Sequence, residues 1–376
     1  MRTTFAHASS EHPLAAQATG EVAGQLLETI GEAPDLLVVF VSPHHVGTFE
    51  DIIASLRSLL SPVSTLAASA VAVVAGTREI EDGPAIAAFA GRFGMATPLR
   101  LTRDHDTGSL LSGLPADLTT GTVVLLPDPF SFPTDGFLDQ LRSERPGLAV
   151  AGGLASAARG PGGNRLGLDG DVFTDGAVGV WLPADIQTTT VVSQGCRPVG
   201  DPFIVTRSTR NRIDELGGRA ALGRLQDMIA ALDEDDRSLL GQGLHIGLVI
   251  DENQLDFGRG DFLIRAVLGI DQATGAIVVG DDVPVGTTVQ FQLRDAATAD
   301  EDLRQLMDDR RASGALLFTC NGRGRTMFGS PDHDAEVVSE AIRDRALAGM
   351  FCAGEIGPVG GASFLHGFTA SVVLFA

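Results

Sequence analysis

Between Cys320 and Glu355 this chain gathers most of its reactive residue types: two of its three cysteines, two closely spaced arginines, a histidine and several acids. The segment reads Cys320-Asn321-Gly322-Arg323-Gly324-Arg325, then Asp332-His333-Asp334, then Cys352-Ala353-Gly354-Glu355-Ile356-Gly357. Glycine makes these loops short and conformationally permissive. Cys320, beside two arginines, suits a nucleophile or redox-sensitive thiol, and equally a small residue packed at a strand end. The amides around Asn321, Gly322 and Gly324 can face a carboxylate or phosphate, with Arg323 or Arg325 forking onto it.

Asp332 or Asp334 suits the N-cap of a following helix. His333 then feels the positive helix end and stays neutral, as a ligand contact or general base requires. Glu355, between Gly354 and Ile356, can receive an amino group or stand as a solvated turn acid. His44 and His45 follow an early strand, so at most one of them faces a pocket. Cys320, Cys352, Glu355, His333 and His366 lack the tight pair spacing of a structural zinc site, and neither metal nor cofactor is expected. Gly152-Gly153 and Gly160-Pro161-Gly162-Gly163 lack the G-x-G-x-x-G dinucleotide pattern.

The elements that must position these residues are legible as apolar runs ending in turn residues. Strands are expected at 36–41, 71–75, 122–126, 148–151, 177–182, 188–193 and 315–319, with a closing strand at 370–375. Helices are expected at 49–60, 219–232, 298–311 and 335–347. The segments 244–250, 262–268, 277–279 and 288–293 read as an antiparallel meander, and 207–212 as an arginine-rich lead into a helix. A duplication links Leu148-Ala149, Leu154-Ala155, Gly160-Pro161-Gly162-Gly163, Phe173 and Trp181-Leu182 to Leu347-Ala348, Cys352-Ala353, Gly357-Pro358-Val359-Gly360-Gly361, Phe364 and Val372 to Leu374. The fold class that follows is mixed α/β, two similar lobes whose partly antiparallel sheets pack together under helices, with ligand loops meeting in a crevice.

Composition narrows the function. A formal charge of -21 repels nucleic acid and anionic membranes. All 27 basic residues are arginine, which excludes Schiff-base lysines and a P-loop lysine. One Trp and no Tyr leave few stacking platforms for bases. Three cysteines make no disulfide framework, and no apolar run reaches membrane-spanning length, so a reducing, cytoplasmic setting is expected.

Several strings resemble the FIST (F-box and intracellular signal transduction) family, over most of the chain from about Asp35 to Phe375. The C-terminal part carries Ala315-Leu316-Leu317-Phe318-Thr319-Cys320-Asn321-Gly322-Arg323-Gly324, Pro331-Asp332-His333-Asp334, Ala353 to Gly361, and Phe364 to Ser371. The N-terminal part carries Phe40-Val41-Ser42-Pro43-His44-His45 and Cys196-Arg197-Pro198-Val199-Gly200. The resemblance implies a lead-in at 1–34, an N-terminal FIST lobe at 35–235 and a C-terminal FIST lobe at 236–376. It implies a sensory protein for small ligands, amino acids among them, with no established catalytic residue. Where the family carries a Gly-Cys turn after its second strand, this chain has Ala75-Gly76-Thr77-Arg78.

The expected ligand-binding set is Cys320, Asn321, Gly322, Arg323, Arg325, His333, Cys352, Gly354, Glu355 and His44. Because two lobes use nearly the whole length, output through a separate signalling protein is expected. Two alternatives stay open: a cysteine-dependent hydrolase or transferase using Cys320 with His333 or His366, and an interaction scaffold without a small ligand.

Overall fold

The computed structural model describes residues 3–104, 106–254, 256–343 and 345–376. The chain forms two compact units, one of residues 1–192, 303–365 and 369–376, the other of residues 193–302 and 366–368. These units cut across the sequential division at residue 235. The mixed α/β class read from the sequence holds.

In the first unit, three strand–helix–strand segments form three sheets. Leu36–Val41 pairs in parallel with Ser64–Ser69 around the helix Phe49–Leu60, and Gly121–Pro127 with Leu148–Gly153 around Thr134–Glu144. Gly314–Cys320 pairs with Ala346–Cys352 around His333–Ala341. Each first strand is flanked antiparallel by the last strand of its own repeat: Ile86–Arg92, Ala177–Leu182 and Thr369–Phe375. The duplication seen in the sequence thus joins the second and third repeats, and the first is a further copy; the two Gly-Pro strings of that duplication are not equivalent, since 160–163 precedes the hairpin of the second repeat and 357–361 lies within that of the third.

The repeats interlock cyclically. The hairpin of the first, Val73–Ala75 with Arg78–Ile80, pairs with Ala346–Cys352 of the third. The hairpin of the third, Glu355–Val359 with Ala362–His366, joins Leu148–Gly153 of the second, and that of the second, Leu166–Leu168 with Asp171–Phe173, joins Ser64–Ser69 of the first. Each sheet is therefore completed by a neighbour, and no repeat can bury its edge alone.

Strand alternation explains the layers. Leu36, Val38, Phe40, Val124, Leu126, Leu316 and Phe318 point into one shared core, where Phe40 meets Phe318 edge-on at 6.1 Å. The intervening Leu37 and Val39, Val123 and Leu125, or Ala315 and Leu317 pack under the helices of their own repeat. Strands buried on both faces read as unbroken apolar runs, which is why these central strands were visible in sequence.

The second unit is an antiparallel barrel. Cys196–Thr209 pairs with Thr288–Arg294 on one side and Arg212–Leu216 on the other, closing a ring through Leu244–Val249, Phe262–Asp271 and Ala276–Val279. Irregularities between Val199 and Phe203 and between Val205 and Ser208 bend the long strand around the closure. The helix Ala221–Ala231 lays Leu225 and Met228 on the barrel core.

Three expectations need correction. The helix expected to run to residue 347 stops at Ala341; Arg343 turns with φ +56°, and 346–352 is a strand. An apolar run of that length does not distinguish buried helix from buried strand. The arginine-rich segment 207–212 is the tip of a β-hairpin, turning at Arg210 and Asn211, rather than a lead-in, and the alanine-rich strands Ser64–Ser69 and Ile86–Arg92 carried too little β signature to be noticed. Among the described residues no helix is long and apolar enough to cross a membrane.

Candidate functional site

The strand Gly314–Cys320 is buried throughout and delivers Thr319 and Cys320 to one end of its sheet. Directly beyond it, Arg323 turns inward and becomes fully buried. Its Nε donates to Asp334 Oδ2 at 2.7 Å and its Nη2 donates to Oδ1 at 2.7 Å, a bidentate ion pair with both side chains fully excluded from solvent. Thr319 Oγ1 donates to Asp334 Oδ2 at 2.6 Å. His333 Nδ1 lies 3.0 Å from Oδ1, while its ring stacks on Phe328 at 3.5 Å. The Arg323 guanidinium sits 5.2 Å above the same Phe328 ring.

Burial pushes the Asp334 carboxyl upward, but the charge and hydrogen bonds of Arg323 outweigh it and hold the group well below the usual carboxylate range. Burial likewise opposes the charge of Arg323, and Asp334 reverses that effect. Asp334 is therefore the counter-ion of a buried arginine, inside the first turn of its helix rather than at the cap.

The cap comes from another repeat. Glu79, on the hairpin of the first repeat, accepts from the amides of Asp332 at 2.9 Å and Ala335 at 3.0 Å, while Asp332 Oδ1 accepts from the Glu79 amide at 2.6 Å. This is a reciprocal cap made between segments distant in sequence. Burial first, then the neighbouring Asp334, raises the pKa of Glu79. Glu81 accepts from the Arg325 amide at 2.8 Å. Gly324, at φ +54°, is required here because a Cβ would stand 2.8 Å from both Glu81 Oε1 and a ring carbon of Phe351.

Glu355 closes the other side. It is fully buried, and its Oε2 accepts from the amide and hydroxyl of Thr369 at 3.1 and 2.9 Å. Burial raises its pKa to about 8, against smaller lowering effects from Thr369, Arg323 and the nearby Cys320 thiol. Two polar atoms in this cluster have no hydrogen-bond partner among the described residues: Arg323 Nη1 and Glu355 Oε1. Cys320 and Cys352 are register partners beside them, and the Gly322 amide donates to Cys320 Sγ at 3.5 Å.

Of the residues singled out in sequence, the structure gathers Arg323, Cys320, Cys352, Glu355 and His333. Asn321 is exposed, with its Oδ1 3.8 Å from Cys320 Sγ, and Gly322 reaches the cluster through its amide. Arg325 is exposed and faces Asp82 at 3.8 Å. Gly354 is buried, its carbonyl accepting from Leu154. His44 is exposed, whereas its neighbour His45 is buried with Nε2 3.1 Å from His12 O. His366 groups with the barrel unit. Sequence reasoning missed Glu79, Thr319, Phe328 and Thr369 as members of this network. Only Thr319, next to Cys320, lay where a signal was being read.

The comparisons agree with the two-part reading of the sequence. A FIST N domain model matches residues 35–219 and a FIST C domain model matches residues 221–358. The chain is 45% identical over 373 residues to "Uncharacterized protein Mb0898c" of Mycobacterium bovis, covering 96% of each chain. It is 44% identical over 375 residues to "Uncharacterized protein Rv0628c" of Mycobacterium tuberculosis, covering 97% of this chain and 98% of that one. With both models matched over most of the chain and relatives of this identity along nearly its whole length, the chain belongs to the FIST family of signal-transduction sensory domains.

Proposed function

We propose that this protein is a cytoplasmic sensor of a small zwitterionic or anionic metabolite, amino acids among them, which binds at the Arg323 and Glu355 cluster and signals through a separate protein. The observation that carries this reading is the pair of unpartnered atoms, a guanidinium N–H donor and a carboxyl oxygen, buried in one network. A buried polar atom left without a partner costs about 1–3 kcal/mol, more when charged, so a ligand supplying both partners recovers that cost on binding. A ligand carboxylate answers Arg323 Nη1 and a ligand ammonium answers Glu355.

Ligand access requires movement, because both side chains are fully buried. The reciprocal contacts of Glu79 and Glu81 with the third repeat are the natural parts to yield, and their rearrangement would alter a surface that a partner reads. Thermal-shift titration against amino acids, their decarboxylated amines and simple carboxylates tests the reading. A saturable rise is expected for the amino acid class, with Glu355→Gln losing the preference for an amine. No rise across the whole panel overturns the proposal.

A further inference from the structure

The thiols of Cys320 and Cys352 end adjacent parallel strands as direct register partners. Neighbouring strands run about 4.8 Å apart, inside the roughly 4.4–6.8 Å range of Cα separations that a disulfide spans. Each cysteine lies two residues beyond a side chain of the shared core, Phe318 and Met350 respectively, so both leave the same face of the sheet.

The surroundings are specific. A Cβ on Gly153 would stand 2.2 Å from Cys352 Sγ, so glycine there preserves the space of the inner sulfur. Cys320 receives the Gly322 amide, has its thiol 3.8 Å from Asn321 Oδ1, and lies within the field of Arg323 and Glu355. Cys352 is fully buried with its thiol 3.5 Å from Met350 O, whereas Cys320 retains 6% exposure. One thiol is outer and held among donors; the other is inner and apolar.

We infer that Cys320 and Cys352 are a dithiol site for hydroperoxides, Cys320 reacting first and Cys352 resolving it to a disulfide. The Cys320 thiolate attacks one peroxide oxygen, the O–O bond breaks, and Cys320 becomes a sulfenic acid while the departing oxygen takes a proton as water or alcohol. Cys352 sulfur then attacks Cys320 sulfur, forming the S–S bond and expelling hydroxide, which leaves as water with the Cys352 proton. Two thiols lose two electrons, and one hydroperoxide is reduced. The division of labour fits the electrostatics: burial first, then Glu355 and Cys320, push the Cys352 thiol well up, so it is the poorer initial nucleophile. Glu355 holds a proton up to about pH 8 and, interacting with Cys320, is the group that supplies the proton to the departing oxygen. This inference does not rest on the ligand reading.

The test uses the full chain treated with hydrogen peroxide, followed by peptide mapping without reductant. A Cys320–Cys352 linked peptide is expected, reversed by dithiothreitol, with buried Cys196 of the barrel unit unmodified. Cys352→Ser should accumulate a dimedone-reactive sulfenic acid on Cys320 and lose the link completely. Cys320→Ser should leave Cys352 unoxidised under the same treatment. Phenylarsine oxide, which needs two adjacent thiols, should bind once per chain and be lost in either variant. Failure of the native protein to form the link while urea-unfolded protein does, or oxidation of Cys352 in Cys320→Ser, overturns the inference. Metabolite titrations on reduced protein fail or succeed independently.

Discussion

The second and third repeats share one topology and place an acid-centred cluster at the end of the same strand, yet they finish it differently. In the second, buried Asp128 accepts from Asn164 Nδ2 at 2.9 Å, Ser131 Oγ at 2.6 Å and the Phe130 amide at 3.2 Å. Neutral donors surround it and none of its own atoms is left over. In the third, Asp334 is matched by an arginine, and the same network leaves Arg323 Nη1 and Glu355 Oε1 without partners. One cluster is a closed structural device. The other is held together with two hydrogen-bonding positions to spare.

Removing the acid from each repeat tests the contrast most severely. Asp334→Ala strands a buried guanidinium and should cost about 3–5 kcal/mol in urea unfolding. Asp128→Ala, losing only neutral donors, should cost about 1–3 kcal/mol. Equal losses would mean that the two clusters are energetically alike and the distinction false.

The pH dependence of stability sharpens the same point. Glu355 keeps its proton in the folded chain up to about pH 8, whereas an unfolded Glu releases it near 4.5. Between these values the unfolded chain binds fewer protons, so this group's contribution is full below about pH 4.5, falls as pH rises and levels off above about pH 8. The slope approaches about 1.4 kcal/mol per pH unit for one such group. Asp334 acts in the opposite sense, with its contribution present above the ordinary Asp range and lost in acid. Denaturant midpoints from pH 4.5 to 8.5 should decline, and Glu355→Gln should lessen that decline, leaving the part due to Glu79, whose pKa is also raised to about 8; an unchanged slope in the variant would remove Glu355 as a source.

Gly324→Ala should cost about 1–3 kcal/mol, since it strains a left-handed backbone and drives a methyl onto Glu81 and Phe351. A tolerated alanine, measured by the same unfolding curves, would show that the Glu81 contact yields readily. Arg325→Ala should change stability by less than about 0.5 kcal/mol, because the side chain is exposed and its partner Asp82 more so. Arg323 and Arg325, two residues apart, therefore mark the inside and the outside of the third repeat.

Much of this was legible locally. The central strands declared themselves through unbroken apolar runs such as Leu36–Val41, and Arg323, Cys320 and Glu355 drew attention because glycines surround them. What escaped was whatever depended on distant partners. Asp332 or Asp334 read as a cap because acids at a helix start usually cap; Asp332 does stand at the N-cap position, but nothing nearby in sequence indicates that Glu79 of another repeat supplies the capping carboxylate. Arg323 and Arg325 could not be ranked, since adjacent exposed and buried positions in an irregular loop have no period.

The sequence by itself determined the family, the mixed α/β class, the relation between the second and third repeats and the segment where reactive residue types concentrate. These follow from local pattern: apolar runs, turn residues and recurring glycine strings. Tertiary structure alone decided that a third copy completes the set, that each hairpin is lent to a neighbouring sheet, and that the barrel forms a unit of its own. It also decided which polar atoms end unpartnered. The physical reason is that burial and hydrogen-bond satisfaction are properties of closed packing, set by residues far apart along the chain, whereas periodicity records only what each segment prefers near itself.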